Sequence, residues 1–199
     1  MTIYFVRHAD KAAGDFFNLE LRHQDQPISR YGRLEARRLA AHLRGRDVER
    51  VYVSQYIRTG QTIAPFARRA GIRTIVDPRL NEIDTGVLDT MTDEQIEAKY
   101  PDVWKAYQER SADFRIPGGE TGAEALLRVS GFLEDQLGRT GNAVAVAHDG
   151  IIRILLCYLL RIPVYRRFEF RCGTTSIMEV KRDEERDEWV VVRFNQEPQ

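Results

Sequence analysis

The sequence predicts an α/β protein: a three-layer α/β/α sandwich with a mostly parallel central sheet and a helical, lid-like insertion. Three observations carry that expectation. Two short continuous apolar runs, Ile3-Tyr4-Phe5-Val6 and Ala143-Val144-Ala145-Val146-Ala147, have the character of strands buried on both faces. Strand and helix signals alternate as β-α-β-α-β from the N-terminus to Val76, the pattern of a doubly wound sheet. Both apolar runs end in a histidine, His8 and His148. In such sheets the carboxyl ends of the strands line the ligand crevice. Two imidazoles and the adjacent Arg7 delivered there form an anion-handling site; a histidine that only ends its strand and bonds locally is the blander alternative.

The elements follow in order. The first strand begins at Thr2 or Ile3 and gives way to a polar loop over residues 9–28. Ser29 is placed as the N-cap of a helix through Leu43, with Leu34, Ala36, Leu39, Ala40 and Leu43 as its apolar face and Gly45 as its stop. Val51-Tyr52-Val53 is a second buried strand, ending in Ser54-Gln55. A helix runs from Ile57 to Ala70 with Gly71 at its C-terminus, and Thr74-Ile75-Val76 is a third strand. Residues 80–120 break the alternation with helical pieces at about 92–100 and 102–110 and a turn at Pro117-Gly118-Gly119. That stretch is a lid over the sheet's active edge or a helical packing layer. A helix from Gly122 to Leu137 follows, with Ala125, Leu126, Val129, Leu133 and Leu137 facing inward. After the Val144 strand come a helix over Ile151–Leu160 and two strands, near 173–181 and 188–194, joined by the charged turn 181–188.

At 199 residues the chain is expected to form a single domain, 1–199, with residues about 80–120 inserted. Thirty basic residues balance thirty acidic ones, so no global field favours nucleic acid or an anionic membrane. The longest apolar run, around Ile151–Leu160, is interrupted by Arg153 and too short to span a bilayer. Cys157 and Cys172 form no CxxC pair, and no H-x-H or H-E-x-x-H spacing announces a metal. No cofactor is expected, and a reducing cytoplasm is the expected setting. Assembly is left open, a homodimer included.

Six segments bear on the site. Arg7-His8-Ala9 resembles the R-H-G signature of the histidine phosphatase superfamily, the phosphoglycerate-mutase-like fold. Pro27-Ile28-Ser29 with Gly32 is similar to its "PLTxxG" helix entry, and Val53-Ser54-Gln55-Tyr56-Ile57-Arg58-Thr59-Gly60-Gln61-Thr62 to its "SPLxRAxQTA" segment. Leu80-Asn81-Glu82 through Gly86 is similar to "LxExxxG", Pro117-Gly118-Gly119-Glu120-Thr121 to "PGGES", and Val146-Ala147-His148-Asp149-Gly150 to "VxHGG". The matches occur in family order and span nearly the whole chain. The resemblance implies a metal-independent phosphatase that hydrolyses a small phosphomonoester through a phosphohistidine on His8. It implies His8, Glu82 and His148 as catalytic residues and Arg7, Arg58, His148 and the Asp149 position as the phosphate-binding set.

The chemistry of these residue types agrees. Phosphoryl transfer demands positioning and charge neutralisation more than covalent chemistry. Arg7 and Arg58 can each grip phosphate oxygens through a planar fork. His148 can donate further contacts, and neutral imidazole is a nucleophile. The leaving alkoxide needs a proton, which the resemblance assigns to Glu82; Asp84 and Glu120 are alternative acids, and Glu120 with Thr121 could equally cap the following helix. Arg58 could instead form an exposed salt bridge. His23 and His42 match nothing and are read as a loop and a helix-surface residue.

The chain departs from the family at several points. Ala9 stands for the usual Gly, and its backbone is expected in an ordinary region. Asp149 stands for Gly; aimed at phosphate it would repel, so it is expected to point away as the N-cap of the Gly150 helix. The loop after His8 lacks the usual "ExxxN" pattern, which leaves the role of Asn18 open. Two other functions compete. A cofactor-dependent mutase would carry extra bases after the glutamate motif, whereas residues 84–109 hold only Lys99 and Lys105. A non-catalytic phospho-ligand binding module is disfavoured because every expected catalytic side chain is present.

Overall fold

The computed structural model describes residues 1–199. Its centre is a six-stranded sheet built from β1 (Thr2–Arg7), β4 (Val48–Val53), β5 (Thr74–Val76), β6 (Asn142–Ala147), β7 (Ile177–Asp183) and β8 (Glu188–Gln196), in the order β5-β4-β6-β1-β7-β8. The pairs β5/β4, β4/β6 and β6/β1 are parallel. The last two strands join antiparallel, β7 against β1 and β8 against β7. The mostly parallel α/β sandwich expected from the alternation is what forms.

Strand alternation divides the core into two layers. Ile3, Phe5, Ala143 and Ala145 face α5 (Gly122–Glu134) and α6 (Asp149–Leu159), packing on Phe132, Leu133 and Ile151. Tyr4, Val6, Val144 and Val146 face α1 (Arg30–His42) and α2 (Ile57–Ala70), packing on Leu39, Leu43, Ile63 and Phe66. With both faces covered, β1 and β6 need unbroken apolar runs, which is why they stand out in the sequence. β5 is different. It lies at the sheet edge, and Ile75 and Val76 are exposed rather than buried.

Helix faces required two corrections. Ser29 caps α1 as expected, its Oγ accepting from the Gly32 N–H at 3.0 Å. Leu34, however, is exposed and Glu35 is buried. Leu34 lies about 200° around the helix from the buried Ala36, while the Glu35 carboxylate accepts from the Asp10 N–H at 2.7 Å and from the Thr174 hydroxyl. α5 starts at a capping box of Thr121 and Glu124 and ends at Glu134, so Leu137 falls beyond the helix and is exposed, and Phe132 fills the core.

Residues 9–28 are not a plain loop. They contain a small hairpin, β2 (Phe17–Asn18) with β3 (His23–Gln24). In the 80–120 insertion, α3 (Asp93–Lys99) and α4 (Pro101–Glu109) form a helical pair anchored by the buried Ile96. No helix is long and apolar enough to cross a membrane.

Candidate active site

The central pair β1/β6 places the chemistry. Arg7 is in register with Ala147, so the chains leave the sheet side by side and the His8 and His148 rings lie 5.2 Å apart, edge to face. The loop after β1 is held tightly. Ala9 is fully buried with an ordinary negative φ, as expected, and its N–H donates to Thr62 Oγ1 at 2.9 Å. Gly32 is required beneath this loop, because a Cβ there would meet the Asp10 carbonyl oxygen at 2.2 Å.

His8 is a poised base. Its Nδ1 lies 2.8 Å from the Ala9 carbonyl oxygen, which can only accept, so Nδ1 carries the proton and Nε2 keeps its lone pair. Burial first, then the charge of Arg58, pushes its pKa down to about 3; Arg7 and Lys11 add to this, and the bond to Ala9 opposes it. The ring is therefore neutral at pH 7. The sign of the linkage follows. A depressed folded-state pKa favours folding fully above the unfolded value near 6.5 and loses that advantage as pH falls toward 3. Wild type should thus lose stability relative to His8→Asn as pH drops through that window. Denaturant melts of both proteins at pH 7, 5 and 4 would show it, and a pH-independent gap would contradict the buried neutral imidazole.

Arg58 enters from the first turn of α2 and is buried, not an exposed salt-bridge residue. Its guanidinium lies over the Tyr56 ring at 4.3 Å and reaches the Gln24 carbonyl at 3.4 Å and Asp25 at 3.8 Å. Arg7 donates to the Cys172 carbonyl. The Nε of each of these two guanidiniums is buried without an acceptor. Unpaired buried donors on two cations facing one cavity mark a place for an anion.

His148 sits deeper than expected. It is fully buried, with Nε2 2.8 Å from Ser54 Oγ and Nδ1 3.2 Å from Arg58 Nη2. Guanidinium only donates, so Nδ1 accepts and Nε2 carries the proton toward Ser54. Burial and then Arg58 hold its pKa well below the ordinary range. In this structure it supports Arg58 and does not line the cavity.

Glu82 lines the same cavity as His8. Its Oε1 accepts from the N–H groups of Ile83 at 2.9 Å and Ile151 at 3.2 Å, and its Oε2 from Gly150 at 3.2 Å. It thereby closes the N-terminus of α6, whose N-cap is His148 with no side-chain bond. Gly150 permits this approach, since a Cβ there would lie 2.5 Å from Glu82 Oε1. Burial raises the Glu82 pKa; the backbone bonds oppose it, and the Asp149 charge adds to it.

The other candidates separate cleanly. Asp149 is the first residue of α6 rather than its N-cap, and its Oδ2 pairs with Arg153 at 2.9 Å. A carboxylate one turn before an arginine finds an ion partner on its own helix, so the cap falls to Glu82. Glu120 pairs with Arg128 at 2.6 Å, and Thr121 caps α5. Asp84 accepts from the Gly86 N–H at 2.8 Å, and of the three carboxyls considered as acids only Glu82 lines the cavity. Asn18 builds the β2/β3 turn by accepting from Glu20 and Leu21. His23 was missed. Its Nδ1 lies 2.6 Å from Asp89 Oδ2, joining the hairpin to the loop after Glu82, and it lines the cavity.

The cavity so enclosed is about 370 Å³, and only two of its fifteen lining residues are hydrophobic. From the insertion, only residues between Glu82 and Asp89 reach it; α3 and α4 do not.

The chain is similar to known proteins over most of its length. The family model of the histidine phosphatase superfamily (branch 1) matches residues 3–197. Phosphoserine phosphatase 1 of Hydrogenobacter thermophilus is 29% identical over 198 residues, covering 97% of this chain and 91% of that protein. A protein of Enterobacter sp. named "Probable phosphoglycerate mutase GpmB" is 30% identical over 195 residues, covering 92% and 86%. In fold, the mycobacterial glucosyl-3-phosphoglycerate phosphatase solved with inorganic phosphate superposes with a TM-score of 0.82 at 22% identity, over 99% of this chain and 98% of that one.

Proposed function

The chain belongs to the histidine phosphatase superfamily, and we propose that it is a phosphatase hydrolysing a small phosphomonoester, without a metal, through a phosphohistidine on His8. The observation that carries this is the neutral His8, with Nε2 unprotonated, set among the guanidiniums of Arg7 and Arg58 and opposite a carboxyl held toward its protonated form. That set matches each need of the reaction. Nε2 attacks phosphorus while the bond to the alkoxide breaks. The two guanidiniums neutralise the equatorial oxygens. Glu82 gives its proton to the leaving oxygen. It then takes one from the water that cleaves the phosphorus–nitrogen bond, which restores His8 and releases phosphate. The relative named a phosphoserine phosphatase and the neighbour named a glucosyl-3-phosphoglycerate phosphatase support hydrolysis. The relative named a phosphoglycerate mutase keeps transfer to a second hydroxyl as the competing outcome. A panel of small phosphomonoesters, run beside a mutase assay with 2,3-bisphosphoglycerate, decides between them. Release of inorganic phosphate without interconversion of phosphoglycerates is expected; stimulated interconversion without release would overturn the assignment.

The acid role makes its own prediction. A general acid matters in proportion to how poor the leaving group is. Glu82→Gln should slow hydrolysis of an alkyl phosphate at least tenfold more than that of p-nitrophenyl phosphate. Asp84→Asn and Glu120→Gln serve as controls. If a control shows that leaving-group dependence and Glu82→Gln does not, the acid is elsewhere.

A further inference from the structure

One buried carboxylate has no part in the chemistry described above. Glu35 lies on the inward stripe of α1 with Gly32, Ala36 and Leu39, where an apolar side chain would serve packing. It makes no ion pair, and its oxygens accept from the Asp10 N–H at 2.7 Å and from the Thr174 hydroxyl. A buried carboxylate without a cation is costly to keep.

Both donors belong to residues that line the cavity. Asp10 is two residues beyond His8. Thr174 belongs to the turn 172–176, which grips Arg7 at three points. The Arg7 N–H donates to the Ser176 carbonyl at 3.1 Å, the Arg7 carbonyl accepts from the Thr175 N–H at 3.1 Å, and the guanidinium donates to the Cys172 carbonyl. That turn is strained. Thr175 is β-branched yet sits in the left-handed region at φ 55°. Such a conformation persists where its surroundings enforce it, and it collects at functional sites.

We propose that Glu35 is a positioning residue, which ties the turn that aims Arg7 to the loop that aims His8. This rests on the reading of the cavity as a phosphomonoester hydrolase. The two residues are adjacent in the chain, but different segments direct their side chains. The Ala9 carbonyl holds His8 Nδ1, and the Cys172 carbonyl holds the Arg7 guanidinium. Glu35 is bonded one residue beyond Ala9 and two beyond Cys172, so it joins those segments and sets the phosphate clamp against the nucleophile.

Glu35→Met removes both bonds at similar volume. It should lower kcat/KM for p-nitrophenyl phosphate by on the order of 10- to 100-fold, as a misplacement of about 1 Å does, and raise the Ki of inorganic phosphate. Glu35→Gln should stay within about threefold of wild type. Its carbonyl can accept from Asp10 while its amide donates to the Thr174 oxygen. Coupling separates positioning from a merely structural role: added to Arg7→Ala, Glu35→Met should cost less than about threefold further. Melting curves accompany each variant. Should Glu35→Met not fold, Thr174→Val, which removes one bond, decides: a loss of about fivefold that vanishes in Arg7→Ala is expected, and one under about threefold overturns the proposal. Glu35→Met within about threefold of wild type, an equal loss in Glu35→Gln, or a loss as large without Arg7 as with it also overturns it and leaves the hydrolase reading intact. Wild type that releases phosphate from no member of the phosphomonoester panel overturns both.

Discussion

His8→Ala is expected to remove turnover, with a loss on the order of 10⁴-fold or more in kcat, because the nucleophile of a covalent mechanism has no substitute. The argument is geometric and electrostatic. His8 lies at the end of β1, Nδ1 is committed to the Ala9 carbonyl, and burial, then neighbouring cations, hold the ring neutral. Removing the imidazole leaves Arg7 and Arg58 able to bind phosphate but leaves nothing to attack phosphorus. The variant should still bind inorganic phosphate and should melt cooperatively. Its folded state also loses a buried ring, so His8→Asn, which retains a polar group of similar reach, serves as the check on folding. Steady-state rates with either variant within threefold of wild type would remove His8 from the chemistry.

Arg58→Ala carries the second largest expected effect. Deleting one preorganised donor to transition-state charge costs about 10² to 10³ in kcat. Here the loss should fall at the upper end, because the same guanidinium also donates to His148 Nδ1 and packs over Tyr56. Arg58→Lys should recover little, since a point charge cannot reproduce the planar fork. The measurement is kcat and KM for both variants beside their melting curves. A folded Arg58→Ala protein with less than a threefold loss would place this residue outside the site.

Most of the architecture could be read along the chain because it rests on local signals. The α2 helix is found at Ile57–Ala70 because Gly71 ends it in the left-handed region at φ 69°. The ends of β1 and β6 stand out because unbroken apolar runs stop at polar residues. That is also why His8, Arg7 and His148 could be picked out. What escaped depends on partners far along the chain. His23 lies 66 residues from the Asp89 it bonds, and neither sits in a pattern that announces the other. Glu35 looks like a solvent-facing helix residue until its two distant donors, Asp10 and Thr174, are seen. Asp149 looks like an N-cap until Glu82, far earlier in the chain, is seen to take the N–H groups of Gly150 and Ile151 at that end of α6, which leaves Asp149 to Arg153 one turn on.

The central claim is the covalent intermediate on His8, and rapid chemical quench tests it most directly. Wild-type protein is mixed with a ³²P-labelled phosphomonoester, quenched into alkali within the first turnover, digested and mapped. Phosphohistidine survives base and is lost in acid, so the account predicts alkali-stable, acid-labile label on the peptide containing His8, absent from His8→Asn. Turnover with no label on that peptide, or label on another residue while His8→Asn remains active, would contradict it.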